Sequence, residues 1–148
     1  MSPLTKGLVA AAVLWPLVLT AALWQRSLGH GTFWLAVYLA ASEICHQRPE
    51  RSFHLAAVPW PVCARCLGLY MAAPIGALLA VMTRRTRPLD LRRWLAIAGL
   101  PTVTSLVLEW GGFVPVTNAM RCLAALPLGA MIAFAITRVS DRRVSAIG

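Results

Sequence analysis

The sequence predicts an all-α fold: a polytopic integral membrane bundle of about five transmembrane helices in one domain. Three observations predict it. First, 59% of the 148 residues are hydrophobic and only 13% charged, with a mean hydropathy of +0.70, far more apolar than a soluble domain of this length. Second, the apolar residues fall in runs of roughly spanning length separated by short polar segments. Third, the formal charge of +9 comes almost wholly from arginines that sit just outside those runs. There they act as topology signals and headgroup contacts, so the basic balance points to membrane lipids and away from nucleic acid.

The first helix is predicted over about residues 8–25. Its apolar run of about 17 residues is near the lower limit for a hydrocarbon core of ~30 Å. A signal peptide is the rival reading, but no small-residue cleavage site follows, and Trp24, Gln25 and Arg26 form an interfacial end. A second helix, 32–46, reaches spanning length only by continuing into Cys45 and His46. From residue 45 to 61 the chain turns polar, and Pro49, Pro59 and Pro61 predict a loop. Pro61 suits the first turn of a third helix, 61–82, on which Cys63, Cys66 and Tyr70 share a face and Pro74 and Gly76 offer a kink.

TRRTRPLDLRR, residues 83–93, is a loop with five arginines. A fourth helix, 92–109, ends at Glu109, and Gly111 and Gly112 turn the chain into a fifth, 117–137, followed by Arg138, Arg142 and Arg143. The positive-inside rule puts the arginine loop and the C-terminus in the cytoplasm, and five spans then put the N-terminus outside. Arg26, the loop and the tail together supply nine basic residues inside, against Lys6, Arg48 and Arg51 outside. The 45–61 loop, Glu109, Asn118 and Arg121 would then collect at the extracytoplasmic face.

The chemistry is concentrated in CHQRPERSFHLAAVPWPVCARCLGLY, residues 45–70, which holds three of the four cysteines and two of the three histidines. A CxxC at a helix start can meet one metal ion or close a disulfide, and the helix N-terminus favours thiolate. Cys45, His46, Cys63 and Cys66 together match a Cys₃His site for zinc or copper. Gln47, His54, Tyr70 and Cys122 are further candidates. His54 reads more simply as a solvated histidine, and Cys122 as a small buried residue.

The same sulfurs also fit a membrane thiol-disulfide oxidoreductase that passes electrons to a quinone, although such enzymes normally use two cysteine pairs. A third reading is an accessory subunit, with a metal or disulfide stapling its loop and a membrane protein or a second copy as partner. Arg51, Arg65 and Arg121, with Glu109 and Asn118, suggest an anion or lipid-headgroup pocket beside the cysteines. Ionisable groups inside spanning segments are costly, so Glu109 is expected to pair with Arg121 or Arg65, and a purely structural ion pair is the plainer alternative. No serine triad, phosphate-cradling glycine loop or HExxH helix is present, which argues against a nucleotide-driven pump. No catalytic residue stands out.

CHQxPxRSF followed by PVCxRCxGxY resembles the hallmark of a bacterial and archaeal membrane family, domain of unknown function 2085. The likeness continues through Glu109, Asn118, Arg121 and Gly129 to about Ile136; Ala124 and Ala125 stand where the family often has Thr-Gly. It implies a bacterial or archaeal cytoplasmic membrane, strengthens the same list of site residues, and carries no established reaction.

Overall fold

The computed structural model describes residues 3–29, 31–83 and 90–145, with side chains through residue 141. Five α-helices carry it: α1 (Pro3–Ser27), α2 (Phe33–Ser42), α3 (Ala64–Met82), α4 (Leu91–Trp110) and α5 (Asn118–Ser145). Between α2 and α3 lie a 3₁₀ turn, Pro49–Arg51, and a small antiparallel hairpin, β1 (His54–Leu55) and β2 (Val58–Pro59). The all-helical, polytopic class is as the composition predicts. Helices α1, α3 and α5 are long and apolar enough to cross a membrane. α4 has 20 residues, about 30 Å, with charges only near its ends at Arg92, Arg93 and Glu109.

α3 and α5 form the central pair. A Cβ on Gly68 would overlap the Cys122 carbonyl, one on Gly76 the Ala130 carbonyl, and one on Gly129 the Leu69 backbone. Backbone therefore lies on backbone, the packing that small residues allow where lipid offers no hydrophobic drive to association. α4 packs on α5, where the Thr102 hydroxyl donates to the Ala124 carbonyl at 2.8 Å. α1 closes the other side on α3, with Trp15 edge-on to Tyr70 at 6.1 Å.

α2 departs from expectation. It stops at Ser42 instead of running to residue 46, and its 10 residues measure about 15 Å, half a hydrocarbon core. Gly29 and Gly31, at φ 69° and 67°, reverse the chain after α1. α2 then folds back so that Val37 and Ala41 join Leu19 and Ala22 of α1, with Cys45, Val62 and Leu67, in one buried cluster. Arg26, at the end of α1, lies 5.0 Å from the Trp34 ring and 4.5 Å from the Tyr38 ring. The Tyr38 hydroxyl donates to the Pro59 carbonyl at 2.6 Å. The end of α1, all of α2, the hairpin and the start of α3 thus share one end of the bundle.

The opposite end is equally well defined. The Thr5 hydroxyl donates to Asp141 at 3.2 Å, joining the start of α1 to the end of α5, and Arg138 donates to the Thr83 carbonyl at the end of α3. Both ends of the described chain therefore lie together. A half-length α2 returns the chain to the end it left, so the start of α1 and the end of α5 lie at the bundle end away from the cysteine loop. Arg26 accordingly belongs with the cysteine loop, and Lys6 with the basic end. Arg84, Arg85 and Arg87 lie outside the described residues.

Candidate metal centre and arginine cradle

The loop after α2 is shaped by its own side chains. Gln47 takes a left-handed backbone (φ 47°), and its amide donates to the Tyr38 carbonyl at 2.7 Å and the Pro61 carbonyl at 2.8 Å. That staple draws the residues around Cys45 onto those before Cys63, closing an 18-residue gap. Ser52, fully buried, donates to the Arg48 carbonyl at 3.0 Å and holds the 3₁₀ turn. Ala56 and Ala57, both at positive φ, close the hairpin in the manner of a two-residue turn.

α3 begins later than Pro61 suggests: Cys63 is the N-cap and Cys66 lies in the first turn. The Cys63 N–H donates to the Cys45 sulfur at 3.2 Å, and the Cys63 and Cys66 sulfurs are 3.4 Å apart. All three sulfurs lie within 4.8 Å of one another. A tetrahedral ion with sulfur ligands at ~2.3 Å needs sulfurs about 3.8 Å apart, so small side-chain rotations would seat one, and the set could hold a metal ion. The hydrogen bond with Cys66 holds the Cys63 pKa down at about 5 against the opposing effect of burial. The Cys66 N–H, the Cys45 thiol and the Arg65 N–H add to the lowering. The thiolate form of Cys63 is therefore favoured relative to an ordinary cysteine.

His46 is exposed and stands outside the three-sulfur group, although it lines the same cavity. His54 pairs with Pro59 in the hairpin, and the backbone carbonyl of Cys122 lies at the α3–α5 contact; neither residue lines the cavity. Tyr70, one turn below Cys66, lines a separate apolar groove with Trp15.

Beside the sulfurs, Glu109 is engaged by three guanidinium groups. Arg65 approaches Oε2 at 2.7 Å, Arg121 grips Oε1 at 3.0 Å and Oε2 at 3.3 Å, and Arg51 reaches Oε1 at 3.3 Å. Arg121 also donates to Asn118 Oδ1 at 2.6 Å, while the Asn118 amide donates to the Ser52 carbonyl at 2.9 Å. Asn118 thus ties α5 to the motif loop. Glu109 takes both expected partners and a third, Arg51, from the loop. Ser105, which accepts from Arg65 at 3.3 Å, could not be singled out from the sequence, since a serine within an apolar helix carries no periodic or charge signal. Arg48 could have been: it lies inside the CHQxP run but reads there as a surface residue.

The sulfurs and arginines line one cavity of about 440 Å³: Cys45, Cys63 and Cys66, with Arg48, Arg51, Arg65 and Arg121, and with Ile44, His46 and Trp110. The fold and this cavity define a polytopic helical membrane protein with a thiol and guanidinium site at one end of its bundle. Residues 45–135 match the family described as Predicted membrane protein (DUF2085), and the chain belongs to that family.

Two archaeal relatives are similar to it. An uncharacterized protein of Methanocaldococcus jannaschii is 28% identical over 110 residues, 70% of each chain. One of Methanothermobacter thermautotrophicus is 32% identical over 88 residues, 58% of this chain and 78% of the relative. No solved structure matches the chain.

Proposed function

We propose that this protein is a membrane-embedded thiolate metal centre, with Cys45, Cys63 and Cys66 as ligands to a zinc- or copper-like ion and a coordination position left open toward the cationic cavity. The observation that carries this reading is the approach of three sulfurs from two separate segments to within 4.8 Å. Soft thiolates select such ions over magnesium or calcium. His46, on the cavity rim, is the side chain available as a fourth ligand. The centre faces the outside of a bacterial or archaeal cytoplasmic membrane. With Lys6 and Arg26 exchanged between faces, nine basic residues still stand on one side against Arg26, Arg48 and Arg51 on the other.

Metal analysis of the purified protein with a parallel count of free thiols tests this. One ion per chain is expected, reduced by Cys→Ser at each of the three positions and released as acid protonates the sulfurs. Reporter fusions after residues 2, 56 and 88 test sidedness: the first and last should agree with each other and oppose the middle one.

A second reading draws on the 3.4 Å Cys63–Cys66 contact and on the apolar groove of Trp15, Val18 and Tyr70 beside α3. Here the two thiols become a disulfide, and a quinone taking the two electrons and two protons becomes a quinol. A metal-free protein with a reversible Cys63–Cys66 disulfide would overturn the metal centre in favour of this exchange pair.

A further inference from the structure

We infer that the cavity beside the cysteines receives a phosphate group, held by Arg48, Arg51, Arg65 and Arg121. This names the ligand class of the site proposed above; it rests on that reading of the cavity as a ligand site, and on its arginines rather than its metal.

Four guanidinium groups line the cavity and, among the described residues, no carboxylate does. Glu109 stands outside the lining, and both its oxygens are already engaged by arginine, Oε1 by Arg51 and Arg121, Oε2 by Arg65 and Arg121. One carboxylate, even with a thiolate at Cys63 added, does not balance four cations. Gathering like charges at the edge of a membrane is costly without a counter-ion. Glu109 therefore acts as the part that orients the forks and leaves their remaining N–H groups to another acceptor. Arg65 adds an unmet donor of its own: its Nε is buried without a hydrogen-bond partner among the described residues, which costs ~1–3 kcal/mol.

The missing acceptor is defined by what it must satisfy. A carboxylate offers two oxygens in one plane, which Arg121 and Arg65 already find in Glu109. Donors arriving from the loop, from α3 and from α5 match a tetrahedral group whose several oxygens point different ways, and planar guanidinium forks bind such groups two bonds at a time. Depth fits as well. Trp110 on the cavity rim is 77% exposed and Trp24, at the same end of the bundle, 62%. Exposed tryptophans mark the headgroup level of a bilayer, where phosphates lie. The phosphate is either free in the aqueous phase or carried by a phospholipid.

The test uses the full chain, purified once in detergent and once in nanodiscs of phosphatidylcholine with phosphatidic acid. Calorimetry with inorganic phosphate reads the free source; native mass spectrometry of retained phosphatidic acid reads the lipid source. Saturable binding of either is expected, about tenfold weaker in Arg51→Gln, which lacks one charged hydrogen bond, and weaker again in Arg48→Gln. Thermal unfolding of each variant separates lost binding from lost fold, and the exposed Arg48 supplies a substitution that leaves the Glu109 contacts intact. Removal of the metal with a chelator should leave phosphate binding in place, so a failed metal centre and a failed phosphate site give different results. Binding of neither probe, affinities unchanged in both arginine variants, or phosphate binding that disappears on removal of the metal would overturn the inference.

Discussion

The two halves of the α3–α5 contact are built on opposite principles. Along its length the helices touch through missing side chains, Gly68, Gly76 and Gly129 against bare backbone; at its cysteine end they are held through long charged ones, Arg65 and Arg121 converging on Glu109. The first region tolerates no added atom, and the second tolerates no lost charge. Because the glycine contact is rigid, it can fix the separation at which the guanidinium groups meet their carboxylate. Packing sets the frame, and electrostatics uses it.

Removing a charge should have the largest effect. Glu109→Gln leaves three guanidinium groups without their common partner, and ~3–5 kcal/mol is the usual loss for an intimate buried pair. Arg121→Gln should harm less, because Arg51 and Arg65 still balance the carboxylate. The double change should cost less than the sum, and thermal unfolding in detergent that showed strict additivity would mean the two are not coupled.

Adding an atom comes next. Gly76→Ala forces a methyl into the Ala130 carbonyl, and overpacking of this kind costs about 1–3 kcal/mol. It should also spread the cysteine end and lower phosphate or metal occupancy, whereas Gly7→Ala, with nothing within 4 Å, should do neither. Equal melting temperatures for Gly76→Ala and Gly7→Ala would deny the backbone contact its framing role.

A smaller effect is expected from pH. In metal-free protein, alkylation of Cys63 should hold its rate from pH 8 down to about 6 and fall by half near the Cys63 pKa of about 5. The sign follows from the lowered value: thiolate persists above that pH and is protonated below it, whereas an ordinary thiol with a pKa of 9.0 would lose reactivity far earlier. Mass spectrometry of the labelled peptide measures it, and a midpoint near 8 or 9 would mean that Cys66 does not support the Cys63 thiolate.

The smallest effect is His54→Ala, within about 0.5 kcal/mol and without change in metal content, since His54 is an exposed hairpin residue away from the cavity.

Much of this was legible in one dimension. The helical class, the four long helices and the concentration of chemistry in residues 45–70 follow from apolar run lengths, proline positions and residue type, all local properties. The grouping of Cys63 with Cys66 follows from their separation of three residues at a helix start. Even the partners of Glu109 could be narrowed to Arg65 and Arg121, because an isolated carboxylate at the end of an apolar helix demands a cation.

What the tertiary structure decided are matters of distance between segments. The run from Phe33 to Ile44 has the composition of a span, and nothing in it distinguishes a helix that crosses lipid from one folded against α1; the contacts of Val37 and Ala41 with Leu19 and Ala22 make that choice, and with it the end at which α1 starts. His46 is adjacent to Cys45 in sequence yet stands apart from the sulfurs, because the turn at Gln47 is shaped by two carbonyls that lie nine residues before it and fourteen after it. The meeting of four arginines from the motif loop, α3 and α5 around one cavity depends on how closely α3 and α5 approach. A sequence states which charges exist and roughly at what depth; only packing sets how far apart they are, and charge interactions turn on that distance.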